Sequence, residues 1–590
     1  DSMKKFCCIV LTLVLCLGAL TGFANIPSVQ SEHEHVASSG WRSNDTEHWK
    51  VCKKDYEKFN AGDHVYGEWI IDKEPTVTKY GVRHRLCATC GYTDYEQVAA
   101  RSEIMDFMDD YAKTYDRATI IKSYVDKFEE LDGGKYKYFY NVGSNIYEFL
   151  YNHLPLFVCD DKEIEEIYYY RAYAFAKHFR KTSTGQVIVS EYLERMSYDI
   201  EGAISCPVGH QLRELRWFKN TEQIGRDFIT FWTEHIDGLL NYNHWFIYAV
   251  WEYCDMTGQM DFAYSVVNKL EEYFNRLLED HIAWNGMYKC ADHADGMEYT
   301  VSFYGIRPTI NSYVYADAYG LYKIFSHFND ARGLKYKKMA ETLKEQINTN
   351  LFKDDFYYTN PLEEGEPMPK RIVPTLGNVE NKVYDVKEQV GFIPFYFGIG
   401  GEEQFEAWKY IMDENVFLQE YGITTVDQSH PQFNYEVNHA CLWNGPVWPF
   451  ATSQTLTALS NSLKTGGNMP IGKAEYTYLL NQYARSQWIV DDNGVRRPWI
   501  DENLDGETGV WLARQWCIDN GIFSERGRDY NHSTFLDLVL NGFCGVDVKD
   551  GAVNFQPQSD GVAFFVEGLK LNGNDYMLNY NGQDFACKKL

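Results

Sequence analysis

Residues 499–509 read Trp-Ile-Asp-Glu-Asn-Leu-Asp-Gly-Glu-Thr-Gly, with Asp501, Glu502, Asp505 and Glu507 crowded together. Arg496, Arg497 and Pro498 precede them, and Arg528-Asp529-Tyr530-Asn531-His532-Ser533 follows downstream. A core helix needs a sustained run of apolar residues at spacings of three and four; this acid-crowded stretch does not look like one and reads as a loop presenting carboxylates. Asp501-x-Asn503-x-Asp505-Gly506 matches the first half of a calcium-binding EF-hand loop. The twelfth position, where that loop needs a bidentate Glu, is Leu512. Two readings remain: a solvated acidic turn, or a catalytic carboxylate flanked by Trp499 and Trp511 as platforms for a sugar ring. The second requires another carboxylate elsewhere in the chain.

Around this loop the pattern is helix after helix. In 262–278 the apolar positions Val267, Leu270, Phe274 and Leu277 recur at helical spacing, and Tyr336, Met339, Leu343, Ile347 and Leu351 do the same. Similar stretches cover 163–180, 243–256, 309–328, 446–462, 473–488 and 531–541. Loops of very unequal length and the lack of a fixed repeat suggest helix pairs in a ring rather than a solenoid. Alternating, strand-like segments come at the end, in Val546–Val548, Val553–Phe555, Val562–Val566 and Tyr576–Tyr580. Asp550-Gly551, Asp560-Gly561 and Asn572-Gly573 separate them as turns, predicting a small β cap.

A partner for the acidic loop lies in the long connection after the 262–278 helix, which carries Asp295-Gly296-Met297-Glu298-Tyr299 and then Arg307-Pro308-Thr309. Next in order come Asn311-Ser-Tyr-x-Tyr-x-Asp317, Trp443-Asn-Gly-Pro-Val-Trp448-Pro and Glu502-Asn-Leu-Asp-Gly-Glu-Thr-Gly509. As a set, over about 155–545, these motifs resemble the six-hairpin glycosidases. They are closest to the bacterial mannosylglycerate-hydrolase-like and processing-α-glucosidase-like group. Cys206-Pro-Val-Gly-His210, Arg216-Trp217 and Arg526-Gly-Arg528-Asp-Tyr-Asn-His532 look like further segments of such proteins.

The resemblance implies a mainly α fold, an (α/α)6 toroid, and hydrolysis of glycosidic bonds with inversion. Glu298 stands at the position of the general acid and Glu502 at that of the general base. Four departures from the family pattern are visible. The acid is Glu rather than Asp, Asp295 occupies a position that is Ser in the family and is itself a candidate acid, Asn444 replaces an Arg, and Asn503-Leu504 replaces the middle of the base motif. An inverting pair needs its carboxyl groups roughly 6.5–9.5 Å apart, to admit a water. Trp217, Trp245, Trp443, Trp448 and Trp499 are candidate sugar platforms, and as candidates they compete with plain core packing. His210, His244, His532 and Asn444 are candidate hydroxyl contacts. Arg216, Arg307 and Arg528 would pair with an acidic sugar or orient the carboxylates. Two other classes remain: a non-catalytic carbohydrate-binding protein on the same scaffold, and a polysaccharide lyase using Tyr530 and His532. Nothing in the sequence calls for a metal in catalysis.

The flanks read differently. Residues 1–24 contain Lys4 and Lys5, an apolar run from Ile9 to Leu20 and Gly22-Phe23-Ala24, the pattern of a secretory signal. No later segment is apolar enough to span a bilayer, so a secreted or cell-surface protein is expected. Residues 25–45 read as a linker and 101–150 as a helical lead-in to the main domain at 151–545, with the β cap at 546–590. Between linker and lead-in, 46–100 form a small module with His48, Cys52, His64, Cys87 and Cys90. Its Gly67-Glu68-Trp69 and Cys87-Ala-Thr-Cys90-Gly91-Tyr92 segments resemble a short module of gut Firmicutes surface proteins. Tetrahedral zinc takes four N or S ligands. Cys52, Cys87, Cys90 and a histidine, His64 or His48, are the candidates; a disulfide-linked or reduced Cys pair is the alternative. Aromatics make up 16% of the chain, with 45 Tyr and 15 Trp, more than a core requires and in keeping with a carbohydrate partner. The net charge of −28 argues against nucleic acid.

Overall fold

The computed structural model describes residues 34–37, 40–54, 57–73, 81–98, 115–135, 145–193, 201–369, 383–491 and 493–590. The expected signal at 1–24 lies outside these residues, as do 25–33 and 38–39 of the linker and 101–114 and 136–144 of the lead-in. The chain divides into two compact units, Asp1–Arg101 and Ser102–Leu590.

Among its described residues the first unit is all β. One three-stranded antiparallel sheet is built from Arg42–Ser43, Glu47–Val51 and Lys58–Asp63, and a second from Ile70–Lys73, Gly81–Leu86 and Thr93–Val98.

The second unit is a mainly α toroid of six hairpins among the described residues. The outer members are Lys162–Lys177, Glu222–Glu234, Met260–His281, Gly333–Asn350, Glu402–Met412 and Lys473–Ser486. Each is followed by an inner member: Val208–Leu215, Phe246–Thr257, Pro308–His327, Gln389–Phe392 running into Ile393–Tyr396, Pro449–Thr465 and Leu538–Phe543. Consecutive inner members pack on one another around the ring. Arg117–Leu131 lies on the outside of Lys162–Lys177, where Tyr124 stacks on Tyr169 at 4.5 Å.

Inner and outer helices follow different sequence rules. Met260–His281 buries Val267, Leu270, Phe274 and Leu277 and exposes the opposite face, the usual amphipathic pattern. Val208–Leu215 buries every residue, charged ones included. Pro449–Thr465 buries Thr452, Ser453, Gln454, Thr455 and Ser460. Such side chains need partners inside the ring, and Gln454 and Thr455 find them on neighbouring helices. Gln454 donates to Tyr313 Oη at 2.9 Å, and Gln389 donates to Thr455 Oγ1 at 3.1 Å. Asp317 accepts from the Ile247 and Tyr248 amides at 2.9 and 3.1 Å, capping the first turn of the adjacent helix.

Charge closes the ring. Between the first and last inner members, Arg213 Nε lies 3.2 Å from Asp537 Oδ2, while Arg216 Nε and Trp217 Nε1 donate to Asp537 Oδ1 at 3.1 and 2.9 Å. Burial pushes the Asp537 carboxyl up, but the charges of Arg213 and Arg216 outweigh it and hold the group below its ordinary value. Glu214 accepts from the Phe535 and Leu536 amides, the latter at 3.2 Å.

At the C-terminus, Val546–Lys549 pairs with Ala552–Phe555, and a four-stranded sheet runs in the order Phe585–Lys589, Asn574–Tyr580, Phe564–Leu571, Leu156–Cys159. Asp550-Gly551 and Asn572-Gly573 both take positive φ throughout, the geometry of a two-residue hairpin. The cap thus recruits a strand from the start of the helical region. Among the described residues no helix is long and apolar enough to cross a membrane.

Removing one partner of a buried, hydrogen-bonded ion cluster leaves uncompensated charge, at roughly 3–5 kcal/mol. Asp537→Ala is therefore expected to lower stability by about that much, measured as the shift of the urea midpoint; an unchanged midpoint would show that the ring closes without this cluster.

Candidate active site

Five of the six outer-to-inner connections contribute to one cavity of about 720 Å³ at the end of the ring where the inner helices begin. Its walls include Glu191, Tyr192, Cys206, Tyr242, Glu298, Cys441, Glu502, Trp516, Arg526, Tyr530 and His532. Glu298 and Glu502, 204 positions apart by their numbering (502 − 298), line the same space.

The acid candidate is held by its own loop and by the 440–448 segment. Gly296 takes φ +72° and lies so close to Cys206 that a Cβ would sit 2.6 Å from the sulfur, so no other residue fits before Glu298. Asp292 accepts from the Thr300 amide and hydroxyl, both at 2.9 Å, and Glu388 accepts from the Val301 and Ser302 amides. The Trp443 amide donates to the Glu298 carbonyl at 3.0 Å, and the Cys441 thiol donates to Glu298 Oε2 at 2.8 Å. Burial raises the Glu298 carboxyl above its ordinary value; the Cys441 hydrogen bond opposes this and the Glu502 charge adds to it. A protonated carboxylic acid is what a general acid requires. Burial also pushes Cys441 far up, so the thiol keeps its proton.

The base candidate sits in an ionic setting. Tyr192 Oη and Arg526 Nη2 each donate to Glu502 Oε1 at 2.9 Å. The Glu502 amide donates to Asp501 Oδ1 at 2.7 Å. Burial, with the Glu502 charge beside it, pushes Asp501 up to about 7. The loop is stitched to the 440–448 segment: Val447 and Leu504 exchange backbone hydrogen bonds at 2.9 and 3.0 Å, and Asn503 donates to the Ala440 carbonyl at 2.8 Å. Gly445 allows this segment to pass Asn434, whose Oδ1 a Cβ would meet at 1.9 Å. The calcium-like half-motif is a closed turn instead, with Asp505 Oδ1 accepting from the Thr508 amide and hydroxyl at 2.8 and 2.7 Å.

The other sequence candidates are distributed unevenly. Asp295 does not line the cavity; it is fully enclosed and accepts from Asn243 Nδ2 (2.8 Å), Arg307 Nε (3.1 Å) and Thr309 Oγ1 (2.6 Å). It anchors the acid loop, and Arg307 is spent on it rather than on a ligand. Trp217, Trp245, Trp443, Trp448 and Trp499 are all buried. The platform role gives way to packing: Trp217 bonds Asp537, Trp245 packs on Tyr313, and Trp443 stacks on Trp448 at 4.4 Å. His210 packs edge-on against Trp245 and Phe450, and burial holds it neutral. His244 is a buried neutral ring whose Nε2 donates to the Leu239 carbonyl at 2.9 Å. Arg216 belongs to the ring closure, Arg528 pairs with Asp132 and Glu525, and Asn444 donates to the Tyr435 carbonyl. His532 does line the cavity, stacked on Tyr530 at 3.9 Å with Nε2 2.5 Å from Glu191 Oε1. Tyr192, Cys441, Trp516 and Arg526 join the site without having been picked out as site residues from the sequence. Trp516, half-buried on the wall with its indole N–H donated to Asn438 Oδ1 at 2.9 Å, is the platform candidate the structure offers.

A family model for the mannosylglycerate hydrolase MGH1-like glycoside hydrolase domain matches residues 201–533 of the 590, a span that contains both glutamates and the segment between them. The chain belongs to this family. Among solved structures, this glycoside hydrolase domain is similar to a protein named sialidase, at 28% identity and TM-score 0.65, over 75% of this chain and 40% of that one. The chain thus spans about two fifths of that protein's length. More remote similarities are to a mannosylglycerate hydrolase from Thermus thermophilus in complex with glucose (10% identity, TM-score 0.41, 63% of this chain and 98% of that one) and a bacterial glucoamylase complexed with acarbose (11%, 0.44, 64% and 55%). No functionally curated protein matches the chain.

Because the Cys441 thiol stabilises ionised Glu298, Cys441→Ala is expected to raise the Glu298 pKa further. An acid that must stay protonated fails as pH rises through its pKa, so the alkaline limb of the kcat/KM profile should move to higher pH in this variant. An unmoved limb would separate Glu298 from the acid role or Cys441 from its control.

Proposed function

We propose that this chain is an exported, exo-acting, inverting glycosidase that removes a terminal sugar from an oligo- or polysaccharide. The observation that carries the reading is that Glu298 and Glu502 line one cavity in different surroundings. Glu298 is raised by burial toward the protonated form; Glu502 is ion-paired to Arg526. In the reaction Glu298 gives its proton to the glycosidic oxygen as that bond breaks. Glu502 takes a proton from a water that attacks the anomeric carbon from the opposite face. Tyr192 and Arg526 both use Glu502 Oε1, so Oε2 is the oxygen that receives the water's proton.

A cavity of about 720 Å³ is of the size that encloses a small ligand, which favours chain ends over mid-chain cleavage. Export is supported by the Lys4–Lys5, Ile9–Leu20 and Gly22–Ala24 pattern. Three glutamates line the cavity against one arginine, already paired, which favours uncharged sugar hydroxyls. Arg526 on the wall supports a second reading, an acidic sugar, in keeping with the sialidase name of the 28%-identical neighbour. A lyase fits less well, because burial pushes the Tyr530 phenol far above its ordinary value and disfavours the tyrosinate such a base would need.

A proton-NMR time course on glycans ending in α-gluco, α-manno, α-rhamno, β-linked and sialoside residues tests this. The wild type is expected to release a free sugar of inverted configuration from one of them, and Glu502→Gln to slow release by about 10²–10⁴-fold. A retained configuration, or hydrolysis undiminished in Glu502→Gln, would overturn the mechanism.

A further inference from the structure

The described residues of the N-terminal β unit form almost no apolar core. Among its described residues only His48, Cys52 and Cys87 are buried, while Val65, Ile70, Ile71 and Tyr95 are each at least half exposed. A domain this small, lacking a hydrophobic interior, needs another source of cohesion. Four side chains converge where its two sheets meet: His48 from the Glu47–Val51 strand, His64 just after Lys58–Asp63, and Cys87 and Cys90 from the turn between Gly81–Leu86 and Thr93–Val98. Their ligand atoms all lie within 4.8 Å of one another.

We propose that these four residues bind one zinc ion that staples the two sheets together. The geometry is that of a tetrahedral N2S2 site. Bonds of about 2.3 Å to sulfur and 2.0–2.1 Å to nitrogen place neighbouring ligand atoms roughly 3.3–3.8 Å apart; Cys90 Sγ is 3.5 Å from His64 Nδ1 and Cys87 Sγ 3.8 Å from His48 Nδ1. The sulfurs sit in a metal-binding knuckle. The Gly91 amide donates to the Cys87 carbonyl at 2.9 Å, Gly91 takes φ +75°, and the Tyr92 amide points at Cys90 Sγ at 3.4 Å. The outer contact of His64 fixes its tautomer: Nε2 donates to the Asn44 carbonyl at 2.7 Å, turning the Nδ1 lone pair toward the sulfurs. Mixed thiolate and imidazole ligands in a closed tetrahedral set suit Zn²⁺ rather than Ca²⁺ or Mg²⁺. On binding, the two thiols release their protons to solvent. Cys52, the ligand expected from the sequence, lies outside the group, and His48 takes its place.

The test is metal stoichiometry on the full chain, purified under mild reducing conditions and reloaded with zinc. The wild type should carry one zinc per chain, Cys52→Ser should keep it, and Cys87→Ser, Cys90→Ser and His48→Ala should each lower occupancy at least about tenfold. Cobalt(II) in the wild type should show the intense visible bands and thiolate charge-transfer absorption of a tetrahedral site, which does not depend on how the variants fold. Failure to take up stoichiometric zinc, octahedral-type cobalt spectra, loss of metal in Cys52→Ser, or a Cys87–Cys90 disulfide in the peptide mass would each overturn the proposal.

Discussion

The bridge between Glu298 and Glu502 is the constraint on which the site depends, and the segment 440–448 bonds to both sides of it. One side of this segment holds Glu298, through the Trp443 amide and the Cys441 thiol. The other side holds the Glu502 loop, through the paired Val447 and Leu504 backbones and Asn503. Backbone hydrogen bonds of this kind fix position more firmly than side-chain contacts, because no rotamer change releases them. The Trp443–Trp448 stack lies within the same segment and stiffens it. These tryptophans are buried and pack within the spacer between the two carboxylates.

That spacer is only as rigid as the ring beneath it. The inner helices exchange hydrogen bonds through Gln454, Gln389 and Asp317, and the first and last are tied by Asp537 with Arg213 and Arg216. Buried polar networks of this sort demand a definite geometry, since each unmade bond carries a desolvation cost. The cavity lies where the inner helices start, so its loops leave from the most constrained part of the fold.

The two glutamates are legible in the sequence because each sits in a short motif whose glycine and neighbours are set by backbone geometry: Gly296 before Glu298, and the acidic turn after Glu502. The outer Lys162–Lys177, Met260–His281, Gly333–Asn350 and Lys473–Ser486 and the inner Phe246–Thr257, Pro308–His327 and Pro449–Thr465 are legible by apolar spacing. The inner Val208–Leu215 is hidden, because it buries polar and charged side chains that periodicity reads as surface. The tryptophans mislead for a related reason: in a ring with a wide, layered interior, large aromatic side chains fill the space between helices. Arg526, Tyr192 and Cys441 carry no local signal: Arg526 meets Glu502 across one long connection, and Tyr192 and Cys441 reach their glutamates from other connections of the ring. At the N-terminus the Cys87–Cys90 knuckle is visible, but the choice of His48 over Cys52 depends on strand pairing, where one residue reverses the side on which a side chain points.

The most direct test of the two roles is the dependence on leaving group. Aryl glycosides of the sugar that the enzyme accepts, with phenols from strongly to weakly acidic, would be hydrolysed by Glu298→Gln and Glu502→Gln. A good leaving group departs without a proton, so Glu298→Gln should keep most of its rate on the most acidic phenol and lose it on the least. Glu502→Gln should be impaired on all, because the attacking water still needs its base. Equal losses across the series in both variants would contradict the assignment of acid to Glu298 and base to Glu502.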